Sequence, residues 1–317
     1  MIRDVNNIVD IDLDGNITAS IIFGDLDLID ENQEGNQTIP LAVSDAAGNM
    51  AADSITVSFQ QPSFSLNGVA IDGYLNGASV VFRPTNPSMS NNLFYGTTDS
   101  QGGFKLDFLA NEFALVDTNG NGLIDPEEGM IEVSGGVDTV TNRIFEGTLK
   151  ADGAAAVVTP LTTVIAEMVN QGTTKEEAMS LMVDAFGLPS SLDITNYDPI
   201  KNASEGSSDA ALVLQSGAVV ANIFKQTEQL AKSAGVDVSK NNVSLAVAQE
   251  IGALLKEENV NLLDFTKDDF VKDLVTDSVA KVDSNTQLNS SDVNEFTQLL
   301  SSSNKILSDE NLQNLDP

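Results

Sequence analysis

Apolar and polar residues alternate with a period of two through the first half of this chain. Beyond Thr159 the period lengthens to about 3.6. IVDIDLDGNITASIIF alternates around an Asp-Gly turn, and TIPLAVSDAAGNMAADSITVSF reads as two strands joined through residues 45–49. GDLDLIDENQEGN between them is an acidic connection, and Gln60-Gln61-Pro62 is a linker. SLNGVAIDGYLNGASVVFRP and YGTTDSQGGFKLDF repeat the strand–turn–strand pattern. From Thr159 onward, Leu161, Val164, Ile165, Met168 and Val169 fall on one helical stripe, with Thr159 as N-cap and Pro160 in the first position. Thr174 with Glu177 makes a capping box for the next helix. Its stripe of Ala178, Leu181, Met182, Ala185 and Phe186 stops at Gly187 and Pro189, and Met168, Met179 and Met182 read as core. Further helices are expected over 208–234, 244–258, 266–282 and 291–302. The expected fold class is a multidomain α+β chain, with all-β domains over 1–61 and 62–150 followed by an all-α helical domain over 151–317.

One stretch carries a specific chemical pattern. DTNGNGLIDPEE, residues 117–128, has oxygen-bearing side chains at positions 1, 3, 5, 9 and 12: Asp117, Asn119, Asn121, Asp125 and Glu128. Gly122 stands where the chain must turn sharply, and Leu123 offers a backbone carbonyl. These ligands form the hard-oxygen shell that Ca²⁺ takes, with Glu128 able to give both oxygens. The sequence before the loop, GGFKLDF and FALV, favours strand over helix, and MIEVSGG after it alternates. The expectation is an EF-hand-like calcium loop set between β-elements, holding a structural ion rather than opening a helix pair as a sensor does.

Composition narrows the partners. The chain has 317 residues, 47 acids, 15 bases and a formal net charge of −32. Residues 1–61 hold eleven acids and one base, Arg3. Nucleic acid and anionic membrane surfaces are poor partners for such a charge, and cations are natural ones. The acidic residues 25–31 read first as a solvated loop, because no ligand spacing is fixed there, with calcium held by Asp25, Asp27, Asp30 and Glu31 as the alternative. With no Cys and no His there is no disulfide, thiolate or imidazole site and no Ser-His-Asp triad. Trp is absent and three Tyr occur, which weakens a sugar-stacking reading. No apolar run reaches the ~18 residues of a membrane span. No phosphate loop, GxGxxG or GxSxG elbow occurs, and nothing singles out a pair of catalytic carboxylates, so no enzymatic activity is expected.

VSDAAGNMAADSITVSF resembles the last two strands of the bacterial Ig-like repeats of large surface adhesins. DGYLNGASV followed by TDSQGGF resembles the prealbumin-like β-sandwiches of bacterial surface proteins. Some relatives of those sandwiches form Lys–Asn crosslinks, but the first strand here, from Ser65 to Ile71, carries no Lys. SGGVDT through VVTPLTT, with GLPSSLDITNYDPI after it, resembles a segment that follows such sandwiches in long secreted bacterial proteins. These resemblances imply a section of a longer extracellular or cell-surface chain, with neighbouring domains as partners. They supply no catalytic residues. The leading expectation is a presentation segment of an adhesin, rigidified by calcium. The alternative, of another class, is a module whose helical domain binds a peptide, glycan or protein.

Overall fold

In a computed structural model, the structure describes residues 63–238, 242–257 and 263–308 in full, together with the backbone of four strands before residue 60. The expected connection at 45–49, the acidic residues 25–31 and the linker at 60–62 lie outside the described residues. The chain divides into two compact units, 1–63 and 64–317.

The first unit holds two antiparallel pairs. β1 (Ile8–Ile11) pairs with β2 (Ile17–Ser20), and β3 (Gly35–Ser44) pairs with β4 (Met50–Phe59) in register from Gly35↔Phe59 to Ser44↔Met50.

The second unit is α+β, with strands first and helices after them. Its strands are β5 (Phe64–Ala70), β6 (Leu75–Asn76), β7 (Ser79–Pro84), β8 (Phe94–Thr97), β9 (Gly103–Phe108), β10 (Gly129–Ser134), β11 (Val137–Asp138), β12 (Arg143–Ile144), β13 (Thr148–Asp152) and β14 (Val157–Val158). They form an antiparallel sheet of order β13-β10-β7-β8, a small sheet β12-β11-β6, and a third sheet β14-β5-β9 in which β14 runs parallel to β5. Alternation sets which side chains meet. Val80 and Phe82 of β7 and Ile131 and Val133 of β10 are fully buried, while Arg83 and Glu132 turn outward and pair at 2.6 Å. Phe108 of β9 packs on Phe82 and Phe94 of the four-stranded sheet at ring-centroid distances of 5.4 and 4.3 Å. These edge-on and tilted pairs add specificity to the burial they bring.

One expectation fails beside the loop. FALV forms no strand, because residues Ala110–Val116 make a helix, α1. The Glu112 carboxylate accepts the Leu109 N–H at 2.9 Å, capping the helix, and Phe113 stacks on Phe64 at 4.2 Å. The segment is therefore strand, short helix, loop, then strand β10.

Helices begin where the period changes. α2 (Pro160–Asn170) is capped by the Thr159 hydroxyl, which accepts the Thr162 N–H at 3.1 Å. α3 (Lys175–Phe186) is capped by Thr174 and ends at Gly187, whose φ of +61° is left-handed. α4 (Pro199–Ser204), a short helix the pattern did not indicate, precedes α5 (Ser208–Ser233), α6 (Val243–Lys256), α7 (Asp268–Val282) and α8 (Ser290–Leu307). Met168 and Met182 are fully buried; Gly252 of α6 lets that helix close on Met168, since a Cβ there would lie 2.6 Å from its Cγ.

The expected boundary at 150/151 falls inside β13 and separates no cores. Leu149 and Ala151 belong to the same buried cluster as Leu161, Ile165 and Met168. The Thr163 hydroxyl accepts the Lys150 N–H at 2.9 Å, and the Thr162 hydroxyl donates to the Lys150 carbonyl at 2.9 Å. Lys150 bridges Glu132 of β10 at 3.5 Å and Glu167 of α2 at 3.0 Å, and Lys175 of α3 pairs with Asp152 at 3.0 Å. Sheet and helices are thus joined by apolar burial and by ion pairs whose acidic ends at Glu167 and Asp152 are almost wholly buried.

Candidate functional site

Residues 117–128 close on themselves through a dense set of hydrogen bonds. Asp117 ends α1, and its carboxylate gathers three backbone amides: Gly120 at 2.7 Å and Asn121 at 3.1 Å on Oδ1, and Gly122 at 2.8 Å on Oδ2. Gly120 and Gly122 reach those positions with φ of +71° and +84°. Asn119 Oδ1 accepts the Asn121 N–H at 3.0 Å, and Asn121 Oδ1 accepts the Leu123 N–H at 2.8 Å. Both side-chain amides then donate to Asp125 Oδ2, at 2.6 and 2.7 Å. Glu128 lies at the end of a single 3-10 turn (Pro126–Glu128) and is 2% exposed. Its Oε1 accepts from the Thr118 N–H at 2.6 Å and the Thr118 hydroxyl at 2.7 Å, and its Oε2 accepts the Asp125 N–H at 3.0 Å.

The structure therefore brings Asp117, Asn119, Asn121, Asp125 and Glu128 into one network. Leu123 turns its side chain to solvent at 59% exposure, leaving its backbone in the loop, while Ile124 beside it is buried and anchors the loop to the core. The donor set suits a hard cation by its chemistry, since the side chains it offers carry carboxylate and amide oxygens. Two features bear on the fit. Among the described residues no group of three or more acidic side chains is arranged to hold a metal unaided. The amides of Asn119 and Asn121, moreover, are spent on Asp125. An ion would need those two side-chain amides to release Asp125.

The loop is seated against the sheet. Gly129, directly after Glu128, lies under Phe82, where a Cβ would come within 2.0 Å of the ring. Gly153, just past β13, passes so close that a Cβ would meet the Asp125 carbonyl at 3.1 Å. The loop's geometry is thus transmitted to β13, which carries α2.

A second constellation escaped the sequence reading. Two adjoining clefts, about 390 and 250 Å³, lie between the turn after β5, the β11–β12 hairpin and the face of α5, and both are lined by Asp72, Asp138 and Ala218. Burial pushes the Asp72 carboxyl up to about 6, with the nearby Asp138 charge raising it further and Lys225 lowering it. Asp138 is itself well held: Oδ1 accepts the Val140 N–H at 2.8 Å and Oδ2 the Thr141 hydroxyl at 2.5 Å. Gly73 lies so close that a Cβ would fall 2.0 Å from Asp138 Oδ1. In sequence both aspartates look like turn residues, and the 65 residues between them conceal the pairing. The one available signal was the Asp72-Gly73 turn itself, which gives no hint of burial.

Among the described residues no helix is long and apolar enough to cross a membrane. No family model, curated protein or solved structure matches this chain.

Proposed function

We propose that this chain is a structural segment of a secreted or cell-surface bacterial adhesin, and that calcium bound by residues 117–128 stiffens it. The observation that carries the reading is the closed loop in which Asp117, Asn119, Asn121, Asp125 and Glu128 already share one hydrogen-bonded turn. Asp117, Asn119, Asn121, the Leu123 carbonyl, Asp125 and Glu128 would hold the ion, and calcium would supply positive charge to a cluster of acidic oxygens. Because the loop is packed on Phe82 and Gly153, an ion there would brace β10 and β13 together. Through the Lys150–Glu167 pair it would brace the helices on them. Ligand that binds the folded chain alone stabilises it by about 2.7 kcal/mol at a hundredfold excess over the dissociation constant. Extracellular calcium sites often work at ~10⁻⁴–10⁻³ M.

In this reading the first unit is the end of an Ig-like domain and the strands of the second are a prealbumin-like sandwich, as their DAAGN and DGYLNGA sequences resemble. The partners are calcium and neighbouring domains of a longer chain, and the protein is not an enzyme. The net charge of −32 favours cations and disfavours nucleic acid. Calorimetry of the 317-residue chain with calcium and with chelator tests the proposal. A melting temperature raised by calcium, and unresponsive in Asp117→Ala, supports it; the same melting temperature in both media overturns it. A second reading, a ligand-binding module, is favoured by the clefts beside α5.

A further inference from the structure

We propose that the larger cleft beside α5 binds a small organic amine, its ammonium group pairing with Asp72 and its apolar body lying along α5. The inference is independent of calcium at 117–128, and the two stand or fall separately.

Charge and polarity on the cleft wall carry it. The charged residues among those lining this cleft are Asp72 and Asp138, and most of the rest is apolar, including Ile71, Val213 and Leu214. Each hydroxyl on the wall already has a hydrogen-bond partner. Thr141 donates to Asp138 at 2.5 Å, Tyr197 shares a hydrogen bond with Ser207 at 2.8 Å, and Thr159 accepts from the Thr162 amide at 3.1 Å. Asp138 has both oxygens occupied. Asp72 is half-buried and has no hydrogen-bond donor among the described residues; the cation that acts on it, Lys225, lines the adjoining smaller cleft. A sugar or a peptide backbone would find few free donors or acceptors here, and a metal ion would lack ligands, since no third acidic side chain completes a group. One cation on an apolar body matches what the wall offers: a half-buried carboxylate with no hydrogen-bond donor of its own, where a charge-assisted pair can form, and apolar surface beside it.

A second observation points the same way. Gly217 lies inside the 26-residue helix α5 and lines this cleft, and a Cβ built on it meets nothing within 4 Å. Glycine in a helix interior lowers stability relative to alanine, and no close approach of another element requires it at this position. What its missing side chain does is keep the cleft deep. Asp72 and Gly217 are both locally unfavourable choices for the fold and both open on the same space, the pattern of a site kept for binding. Val140 and Ile144, at 76% and 74% exposure on the β11–β12 hairpin, line the two clefts and extend the apolar surface beyond the carboxylates.

The test uses three probes of matched length, hexylamine, hexanol and hexanoate, titrated calorimetrically into the full chain at pH 7.5 and 150 mM salt. Saturable one-to-one binding of hexylamine is expected, at least tenfold tighter than hexanol, with hexanoate not binding. Asp72→Asn changes one charge in a strongly acidic chain, so it leaves general cation attraction in place; it should weaken hexylamine at least tenfold. Gly217→Leu keeps Asp72 and fills the cleft, and it should abolish binding of hexylamine and hexanol alike. No saturable hexylamine binding, equal affinity for hexylamine and hexanol, or hexylamine binding unchanged in Gly217→Leu would each overturn the proposal, whether or not Asp72→Asn folds. Chelating calcium during the titration should leave the result unaltered, which separates failure here from failure of the calcium reading.

Discussion

Glu128→Gln is the sharpest perturbation of the loop, because it keeps the side chain's shape and changes its hydrogen-bonding. In the structure this nearly fully buried carboxylate accepts from the Thr118 amide, the Thr118 hydroxyl and the Asp125 amide. A glutamine has one acceptor oxygen, so its NH₂ must face either Thr118 or Asp125, setting donor against donor. If the oxygen stays with Thr118, one charge-assisted bond to Asp125 is lost and the other two weaken to neutral strength. Hydrogen bonds to charged groups contribute ~1.5–3 kcal/mol and neutral ones ~1 kcal/mol. The sum is a loss of about 2.5–7 kcal/mol with no metal present. For a unit of this size each kcal/mol moves the melting temperature by roughly 2–4 °C, so a fall of about 5–28 °C is expected in chelator. Calcium should then widen the gap between wild type and variant, since the proposed bidentate ligand is also gone. Scanning calorimetry in chelator and in 5 mM calcium reads both effects. A variant within 1 °C of wild type in chelator would refute the hydrogen-bond argument. An equal gap in both media would refute Glu128 as a ligand.

Lys150→Met should lower the stability of the second unit by about 3–5 kcal/mol, because it removes the cation beside the nearly buried Glu167 and leaves that charge only the Gln249 and Asn170 amides; urea unfolding measures it. Lys150→Met with Glu167→Gln should recover at least half of that, and no recovery would show that the loss is packing rather than charge. Asp72 should make stability pH-dependent. Its folded pKa of about 6 lies above the unfolded 3.8, so its contribution is fully present below about 3.8 and is lost as pH rises to about 6. Asp72→Asn removes that decline, so it should be more stable than wild type by about 1–3 kcal/mol at pH 7.5, the difference shrinking toward zero near pH 4 in paired urea titrations. A constant difference across that range would contradict the assignment.

Signals carried by neighbouring residues were legible in the sequence. Thr159 and Pro160 mark the start of α2 because capping and the fixed proline φ are local effects, and Gly187 ends α3 for the same reason. The turn of 117–128 was readable because Gly120 and Gly122 must take positive φ. Features decided by distant partners were hidden. FALV is a short apolar run that suits strand or helix, and the stacking of Phe113 on Phe64 settles it as helix. The shared core of sheet and helices depends on Lys150 meeting Glu167 and on Leu149 joining the buried cluster that holds Leu161, which no period encodes. The pairing of Asp72 with Asp138 is created by the fold, so composition gave only 47 acids without a choice among them.

The most direct test of the calcium claim reads the loop itself. The Gly122 amide donates to Asp117 Oδ2 at 2.8 Å, and an ion on Asp117 would polarise that bond. In the full chain with ¹⁵N-labelled glycine, the Gly122 amide resonance, assigned by its loss in Gly122→Ala, should move downfield and saturate as calcium is added to a few millimolar. The same resonance should stay in place in Asp125→Ala. A Gly122 signal that does not move at 10 mM calcium would contradict a calcium-holding loop, and with it the account of this chain as a calcium-stiffened segment.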